Sequence, residues 1–492
     1  MRRGAPFAFL AVYSRATKGE GMAHTPDSAH ALDSSLAGDA LLAARPTDAA
    51  RAVLRALEAA GLEAWFVGGW VRDALMGAPS HDIDICCSGA WQESARALEA
   101  AGIGVVESGT RFGGITAVAA GERVEVTTYR VDGFYTDGRH PESVQRAERV
   151  EDDLARRDFT VNAMAWHPVR GLLDLYDGRG DIRRRIIRAV GEPRRRFEED
   201  ALRMLRAVRF ACRLAFAMDP ATASALAACA PLLDQVARER VGTELDGILA
   251  TGRGGEALMR YPEVMCAAVP ELALCRGFDQ RSPYHVYDVY EHTAHVLAAA
   301  GAAGAAPELM WAALLHDVGK PASFTVDARG RGHFYGHPER GAKMAAAAMR
   351  RLARPTEVIR AACLLIRYHD RPLTAERTDL LEMLRLLSGG GADAPRLMGE
   401  LLDLKRADAL GKASSCFSYI AEIERMREMV RELVANGEAY SASTLALKGR
   451  DLVAAGVAPG PRIGELLGRA LEATMAGEVP NRAEDLLAYV ME

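Results

Sequence analysis

Residues 65–85 read WFVGGWVRDALMGAPSHDIDI, and the fold turns on them. The apolar run over Glu63–Val67 predicts a strand. Gly68-Gly69 break it, and Val71–Met76 predicts a helix start. His81–Cys87 alternates and predicts a second strand. On a strand, residues i and i+2 share a face, so Asp82 and Asp84 present carboxylates about 7 Å apart. That pair suits Mg²⁺, and hard cations there can clamp the attacking and leaving oxygens of a phosphoryl transfer. A strand running through Gly-Gly into a helix offers backbone N–H groups where a triphosphate can sit. Arg72 can reach a phosphate, and Asp73 complements the positive helix end. Taken alone, Asp-x-Asp reads as a polar turn. Glycine turn, helix and acidic strand together point to nucleotidyl transfer.

Working outward, residues 48–190 mix short strands with a few helices. Further strand-like runs are Ile103–Glu107, Gly114–Ala119 and Arg123–Arg130. Beyond Pro193 nearly everything is helical by period. The expected fold class is an α+β head with a small mixed sheet, followed by an all-α remainder. The expected divisions are an extension over 1–47, the head over 48–190 and a helical neck over 191–275. Two more helical regions follow, over 276–410 and 411–492.

The chain has 492 residues, 49% of them hydrophobic, which excludes disordered, collagen-like and fibrous classes. Lys and Arg number 61 against 66 Asp and Glu, so any nucleic-acid surface must be local. The eight cysteines form no CxxC or zinc spacing and read as reduced thiols, hence a cytoplasmic location. No stretch approaches the roughly 18 apolar residues of a membrane span. At the N-terminus, Arg2 and Arg3 precede the apolar run Ala5–Tyr13. Arg15, Lys18 and Glu20 follow without a clear cleavage site. We read a dispensable extension with a start at Met22; a signal peptide is the other reading.

GGWVRDALMG and HDIDI together resemble the signature of class II tRNA nucleotidyltransferases and bacterial poly(A) polymerases. The resemblance implies a head related to DNA polymerase β, an HD domain over 276–410 and a tRNA-binding tail over 411–492. Glu125, in VEVTTYR, matches a third carboxylate of that family, with a solvent-facing strand glutamate as the plainer reading. YRVDGFYTDGRHP, residues 129–141, looks like the family's flexible loop, with Arg130, Asp132 and Arg139 as polar contacts. In ARRDFTVNAMAW, residues 155–166, the resemblance assigns Arg156, Arg157, Asp158 and Asn162 to ribose and phosphates. Asp158 can accept a hydrogen bond from a ribose hydroxyl and so separate NTP from dNTP. An N-cap is its plainer role.

FEEDALRMLRAVRFACRLAF, residues 197–216, predicts one amphipathic helix with Asp200 and Arg203 on one face. Glu199, Asp200, Arg203 and Arg206 match the family's EDxxRxxR templating helix. Cytosine and adenine each present an amino donor beside a ring-nitrogen acceptor. A carboxylate and a guanidinium complement that pair of groups, whereas uracil and guanine present the reverse. Residues 183–213 hold eleven arginines and four acids, a candidate phosphate-backbone surface that includes Arg194, Arg195, Arg209 and Arg213. ARERVGTEL, residues 237–245, resembles the next family motif.

In the second half, His292, His316-Asp317 in LLHDVGKP, and Asp408 resemble the ligand order of an HD-type metallohydrolase, with His337 and His369 in between. Imidazole with carboxylate suits Mn²⁺, Fe²⁺, Ni²⁺ or Mg²⁺, and such a metal can generate hydroxide for phosphoester hydrolysis. The domain can equally serve as a bridge. Residues 445–487 resemble the family tail, with Lys448, Arg450 and Arg462 near the turn Gly456–Gly464.

The resemblance implies a CCA-adding activity that uses Mg²⁺, CTP, ATP and tRNA, with a second divalent metal in the HD domain and no obligate protein partner. The rivals are a poly(A) polymerase, a CC-adding or A-adding partial enzyme, and a chain whose main activity is HD phosphohydrolysis. A non-catalytic RNA-binding protein ranks last.

Overall fold

The last four residues of the predicted opening strand, Ala64–Val67, are buried and form β1, an interior strand of a seven-stranded sheet. The computed structural model describes residues 46–492 except 81, 109, 111–112, 133–143 and 390–392. The extension over 1–45, His81, and Gly133, Gly138 and Arg139 of the expected loop lie outside the described residues. The described residues form two compact units, one ending at Ala237 and one beginning at Arg238.

In the first unit the other strands are β2 (Asp84–Cys87), β3 (Gly104–Val106), β4 (Gly114–Ala119) and β5 (Glu122–Thr128). Next come β6 (Arg130–Asp132), β7 (Val144–Arg146), β8 (Met164–His167) and β9 (Gly171–Asp174). The sheet runs β3-β4-β5-β2-β1-β8-β9, and β6 pairs with β7 separately. Within the sheet only the β2–β5 pair is parallel. That pairing needs a crossover, and the helix Trp91–Ala100 with the β3–β4 hairpin supplies it. β5 alternates as its sequence demands. Val124, Val126 and Thr128 are buried, while Arg123 and Glu125 face outward. Trp65, Val67, Cys86, Tyr129, Val150, Leu154 and Ala165 close a core against the sheet.

Two local predictions need correction. The ladder of β2 begins at Asp84, so Asp82 lies before the strand rather than on it. Only the Ile83 carbonyl, accepting from Glu125 N at 3.3 Å, extends the pairing toward Asp82. The single helix expected over 197–216 is two, Pro193–Glu199 and Leu202–Leu214. Asp200 sits between them in extended conformation, and its Oδ1 accepts from Leu202 N at 3.0 Å. A short carboxylate that can bond nearby backbone N–H groups favours such a junction over helix interior.

The second unit is helical. Val289–Ala302, Pro307–Leu315, His337–Arg351, Thr356–Tyr368 and Ala394–Leu410 surround its charged centre. Helices Gly449–Ala454, Pro461–Ala476 and Ala483–Met491 share a smaller core of Leu447, Leu452, Leu466, Ala470, Leu486 and Val490. Arg377 ties that subassembly to the rest by donating to Glu438 and to the carbonyls of Thr474 and Met475. Among the described residues, no helix is long and apolar enough to cross a membrane.

Candidate functional site

The β2–β5 register sets Asp84 directly opposite Glu125. Asp82 stands exposed just before β2. Burial first, then the charges of Glu125 and Asp82, push the Asp84 carboxyl up to about 6 against the opposing pull of Arg157. Three carboxylates, two of which raise the Asp84 carboxyl by their charge, are hard oxygen donors that fit a divalent cation such as Mg²⁺.

Gly68 leaves β1 with φ +73° and ψ −132°, a conformation that glycine alone adopts freely. A Cβ there would lie 3.0 Å from Arg157 Nη1 and 3.6 Å from Asp84 Oδ2. The glycine turn thus brings bare backbone beside the Asp84 carboxylate and the Arg157 guanidinium. Gly69 opens the helix Gly69–Leu75. Arg72 is 2% exposed, so it does not project into open solvent. Its Nε donates to Asp73 at 2.8 Å and its Nη1 to Asn162 Oδ1 at 2.6 Å. Asn162 Nδ2 donates to Asp158 at 3.5 Å, and Arg206 grips the other Asp158 oxygen at 2.8 and 2.7 Å. Burial opposes ionisation of Asp158, but Arg206 and Arg203 hold its carboxyl below the ordinary value. Asp158 Oδ1 also accepts from Phe159 N at 2.9 Å, but Asp158 is not an N-cap: the short helix Thr160–Asn162 has Phe159 in that position and no side-chain cap.

Sequence reading missed the group that organises this strip. Asp153 is fully buried in the helix Val150–Ala155. It accepts from Arg156 at 3.0 and 2.6 Å and from Arg157 at 3.3 and 3.1 Å. Burial disfavours its charge, yet Arg157 and Arg156 hold its carboxyl below the usual range. Asp181 was missed too. It is buried, accepts from Thr160 Oγ1 at 2.7 Å, and pairs with Arg184 and Arg188. The one signal for either was an acid followed at helical spacing by arginine.

Arg203 is pinned from three sides. It donates to Glu199 at 2.7 Å, to the Arg196 carbonyl at 3.2 Å and to the Arg156 carbonyl at 3.1 Å. The expected templating residues therefore share one neighbourhood with the Arg156–Asp158 strip. Three guanidiniums, those of Arg72, Arg206 and Arg209, lie over Phe210 at 4.8–5.5 Å from the ring centre. The arginine run is partly neutralised. Arg194 pairs with Glu198, and Arg195 and Arg196 pair with Glu199. Arg183, Arg185 and Arg213 are exposed.

In the second unit, His292, His316, Asp317 and Asp408 come together as expected, and His337 and His369 join them. His292 Nε2 lies 3.1 Å from Asp408 Oδ1, and His316 Nε2 lies 3.1 Å from Asp317 Oδ2. His337 and His369 face each other with Nε2 atoms 3.4 Å apart. Two triplets have ligand atoms all within 4.8 Å of one another: His292, His316 and Asp408, and His316, Asp317 and His369. Burial opposes ionisation of both acids, but His316 and Lys320 hold Asp317 well below its ordinary value. Lys412 and His292 do the same for Asp408. Gly319, in HDVGK, permits a close crossing; a Cβ there would lie 2.4 Å from the His337 carbonyl oxygen. In the tail, Lys448 caps the helix Gly449–Ala454 and donates from Nζ to the Ser443 carbonyl at 2.8 Å. Arg450 is exposed, and Arg462 pairs with Glu465.

Comparison with known proteins follows the same plan. Residues 64–188 match the poly A polymerase head domain, and 215–273 match a probable RNA- and SrmB-binding site of polymerase A. Residues 289–412 match the HD domain, and 407–490 match a putative second domain of tRNA nucleotidyltransferases. A CCA-adding enzyme of Limosilactobacillus fermentum is 42% identical over 200 residues, 41% of this chain and 49% of the relative. One from Geobacillus stearothermophilus is 43% identical over 229 residues, 46% of this chain and 56% of the relative. The chain thus spans about half the length of the curated relatives it matches. The crystal structure of the Bacillus stearothermophilus CCA-adding enzyme in complex with CTP superposes with TM-score 0.63 at 28% identity. That match covers 90% of this chain and 96% of the other. The Thermotoga maritima CCA-adding enzyme complexed with tRNA shares the fold at TM-score 0.57 and 19% identity, over 92% of this chain and 98% of the other. A polymerase head, an RNA-binding region, an HD domain and a tRNA nucleotidyltransferase domain thus match successive parts of this chain in this order.

Proposed function

We propose that this chain is a CCA-adding tRNA nucleotidyltransferase, adding C, C and A from CTP and ATP to the tRNA 3′ end. The observation that carries the reading is the register of Asp84 opposite Glu125, beside Gly68 and Arg157. In this reading the tRNA 3′-hydroxyl attacks the α-phosphate and pyrophosphate leaves. Asp82, Asp84 and Glu125 would hold Mg²⁺, which polarises the phosphoryl oxygens and lowers the pKa of the attacking hydroxyl. Arg157, with one face on Asp153, offers the phosphates a guanidinium already neutralised on its far side. The Gly68-Gly69 backbone lets them approach.

Base choice falls to Asp200 and Arg203. A guanidinium fixed by Glu199 and two carbonyls does not have to be ordered when the nucleotide arrives. It donates to the ring nitrogen of C or A while the carboxylate accepts from the amino group. Asp158, held by Arg206, orients toward the ribose. Arg194, Arg195, Arg209, Arg213, Lys448 and Arg450 supply phosphate contacts for tRNA. The eight free cysteines accord with a reducing cytoplasm. The expected divisions at 48–190, 191–275, 276–410 and 411–492 remain our assignment of head, neck, HD domain and tail.

The test is purified protein with Mg²⁺ and a tRNA ending at its discriminator base, given labelled CTP and ATP separately and together. Two C with CTP alone, and CCA with both, is the expected outcome. A long A tract means a poly(A) polymerase. C without A, or A only on a tRNA ending in CC, means a partial enzyme.

A second reading, an accessory HD phosphohydrolase, is favoured by the convergence of four imidazoles on Asp317. Release of inorganic phosphate from a nucleoside monophosphate with Mn²⁺, abolished in Asp408→Ala, tests it.

A further inference from the structure

One segment of the second unit joins an exposed aromatic tip to the buried histidine cluster. Residues 333–337, His-Phe-Tyr-Gly-His, leave the hairpin that pairs Thr325–Val326 with Gly332–His333 and enter the helix His337–Arg351. Side chains alternate along extended backbone, so residues 333 and 335 share a side that 334 does not. Phe334 is the inner anchor. Its ring centre lies 5.5 Å from that of Phe324, and Lys320 Nζ lies 5.4 Å from it. Its carbonyl meets His337 Nδ1 at 2.9 Å. His333 and Tyr335 occupy the other side, stacked with ring centres 5.4 Å apart and planes within 5°. Tyr335 is nevertheless 78% exposed.

The exposed ring is held in place. His333 Nε2 meets Asp327 Oδ2 at 3.1 Å, and its Nδ1 meets the Tyr335 hydroxyl at 3.4 Å. Asp327 in turn accepts from the backbone N–H groups of Arg329 and Arg331, each at 2.9 Å, which fixes the hairpin turn. Gly336, at φ +71°, makes the bend between Tyr335 and the helix. The hairpin tip, Ala328-Arg329-Gly330-Arg331, is exposed and cationic rather than apolar. A protein-docking patch needs contiguous apolar area. A flat ring fixed by its neighbours, with guanidiniums on the same hairpin, suits a base that stacks and a phosphate that pairs. Two residues separate Tyr335 from His337, at most about 7 Å of chain. His337 Nε2 lies 3.4 Å from Asp317 Oδ1 inside the cluster. A base stacked on Tyr335 therefore leaves its own sugar phosphate within reach of the cluster.

We propose that Tyr335, backed by His333, is the nucleobase platform of the HD site, and that the site takes nucleotides in preference to sugar phosphates that lack a base. The inference rests on the reading of the cluster as a phosphohydrolase and adds its substrate class. In that reaction water breaks the phosphoester bond. Its oxygen goes to phosphorus and one of its protons to the departing hydroxyl, leaving a nucleoside and inorganic phosphate. Tyr335 acts on binding and does not touch the reacting bond.

The full-length chain with Mn²⁺ is given adenosine 5′-monophosphate or ribose 5-phosphate, which differ by the base. Release of inorganic phosphate gives kcat/KM for each, with Asp408→Ala as the blank. Stacking on one aromatic ring is worth a factor of roughly 5 to 150, so the nucleotide should be preferred by about that ratio. In Tyr335→Ala the ratio should fall to near one, and in Tyr335→Phe it should persist. Because a ratio is read, a loss of folded protein cancels. A ratio near one in the parent, or one unchanged in Tyr335→Ala, overturns the platform. Phosphate from neither substrate overturns the phosphohydrolase reading, and the platform falls with it.

Discussion

Asp153→Asn isolates the charge that organises the nucleotide strip. The carboxylate is fully buried and accepts four N–H bonds, two each from Arg156 and Arg157. Asparagine keeps the shape, removes the charge, and turns an NH₂ group toward donors. Removing one partner of a buried ion pair costs about 3–5 kcal/mol, because the other charge is left unpaired. Arg157 retains Asp84 as a neighbour, so the lower end, about 3 kcal/mol, applies here. For a folding unit of this size each kcal/mol shifts Tm by about 2–4 °C, which gives a loss of about 6–12 °C. Tryptophan fluorescence reads the correct unit, since Trp65, Trp70, Trp91 and Trp166 lie in the first unit and Trp311 in the second. The pH dependence adds a second check. The folded pKa of Asp153 is depressed, so its stabilisation is present above the unfolded value of about 3.9 and fades as pH falls through the folded value. The gap between parent and variant should therefore be full at pH 7 and narrow below about pH 4. A shift under 2 °C at pH 7, or a gap that widens on acidification, would refute the reasoning.

Arg203→Ala should relax base choice. A bidentate contact is worth about 1–3 kcal/mol of discrimination, so UTP incorporation relative to CTP should rise roughly 5- to 150-fold; unchanged discrimination in single-turnover extension sinks the assignment. Glu125→Gln removes the largest charge that raises Asp84. With the folded carboxyl at about 6, Mn²⁺ binding by the head should weaken as pH falls through that value. The variant should move that midpoint acidward while binding less tightly at high pH, and a midpoint that stays put refutes the charge coupling. Gly68→Ala should cost about 1–3 kcal/mol in backbone strain and also wedge apart Arg157 and Asp84. Gly61→Ala, at φ +80° with open space around it, has the first effect alone. Equal CTP incorporation by the two variants would show that the close approach at Gly68 does not matter. Gly319→Ala should displace the helix that begins at His337 and weaken Mn²⁺ binding by the histidine cluster; unchanged Mn²⁺ affinity in a folded variant contradicts that.

The legible parts of this chain share a physical property: their chemistry lies along one element. Asp82 and Asp84 stand two residues apart. The glycines that need unusual backbone conformations sit where β1 must turn, and β5 alternates so that Glu125 faces away from Val124 and Val126. Period and propensity report such features directly. Residues 197–216 show the limit of that signal. Both helices there have apolar faces in phase, so the period runs through the junction, and only the bond from Leu202 N to Asp200 reveals the break. Arg72 reads in sequence as a phosphate-seeking arginine, but Asp73 and Asn162, the latter 90 residues on, hold it inside. Asp153 is one of three consecutive acids in the first turn of VEDDLA, and nothing in that string says which of them is turned inward.

The metal cluster of the second unit sharpens the point. Its ordered signature, His292, His316-Asp317 and Asp408, was readable because an adjacent His-Asp with glycine and lysine after it is rare. His337 and His369 carry no such mark. They are separated by 32 residues, each at one end of its own helix, and their pairing depends on how two helices cross. Gly319 and Gly341, which face each other where the elements cross, are traces of that crossing in the primary structure, but Gly319 reads as part of the HD motif rather than as the clearance for His337. Ligands carried on one element obey that element's period; ligands gathered from several obey packing alone. For that reason the pairing of His337 with His369 emerges only from the packing of the helices that carry them, and spacing could not have supplied it.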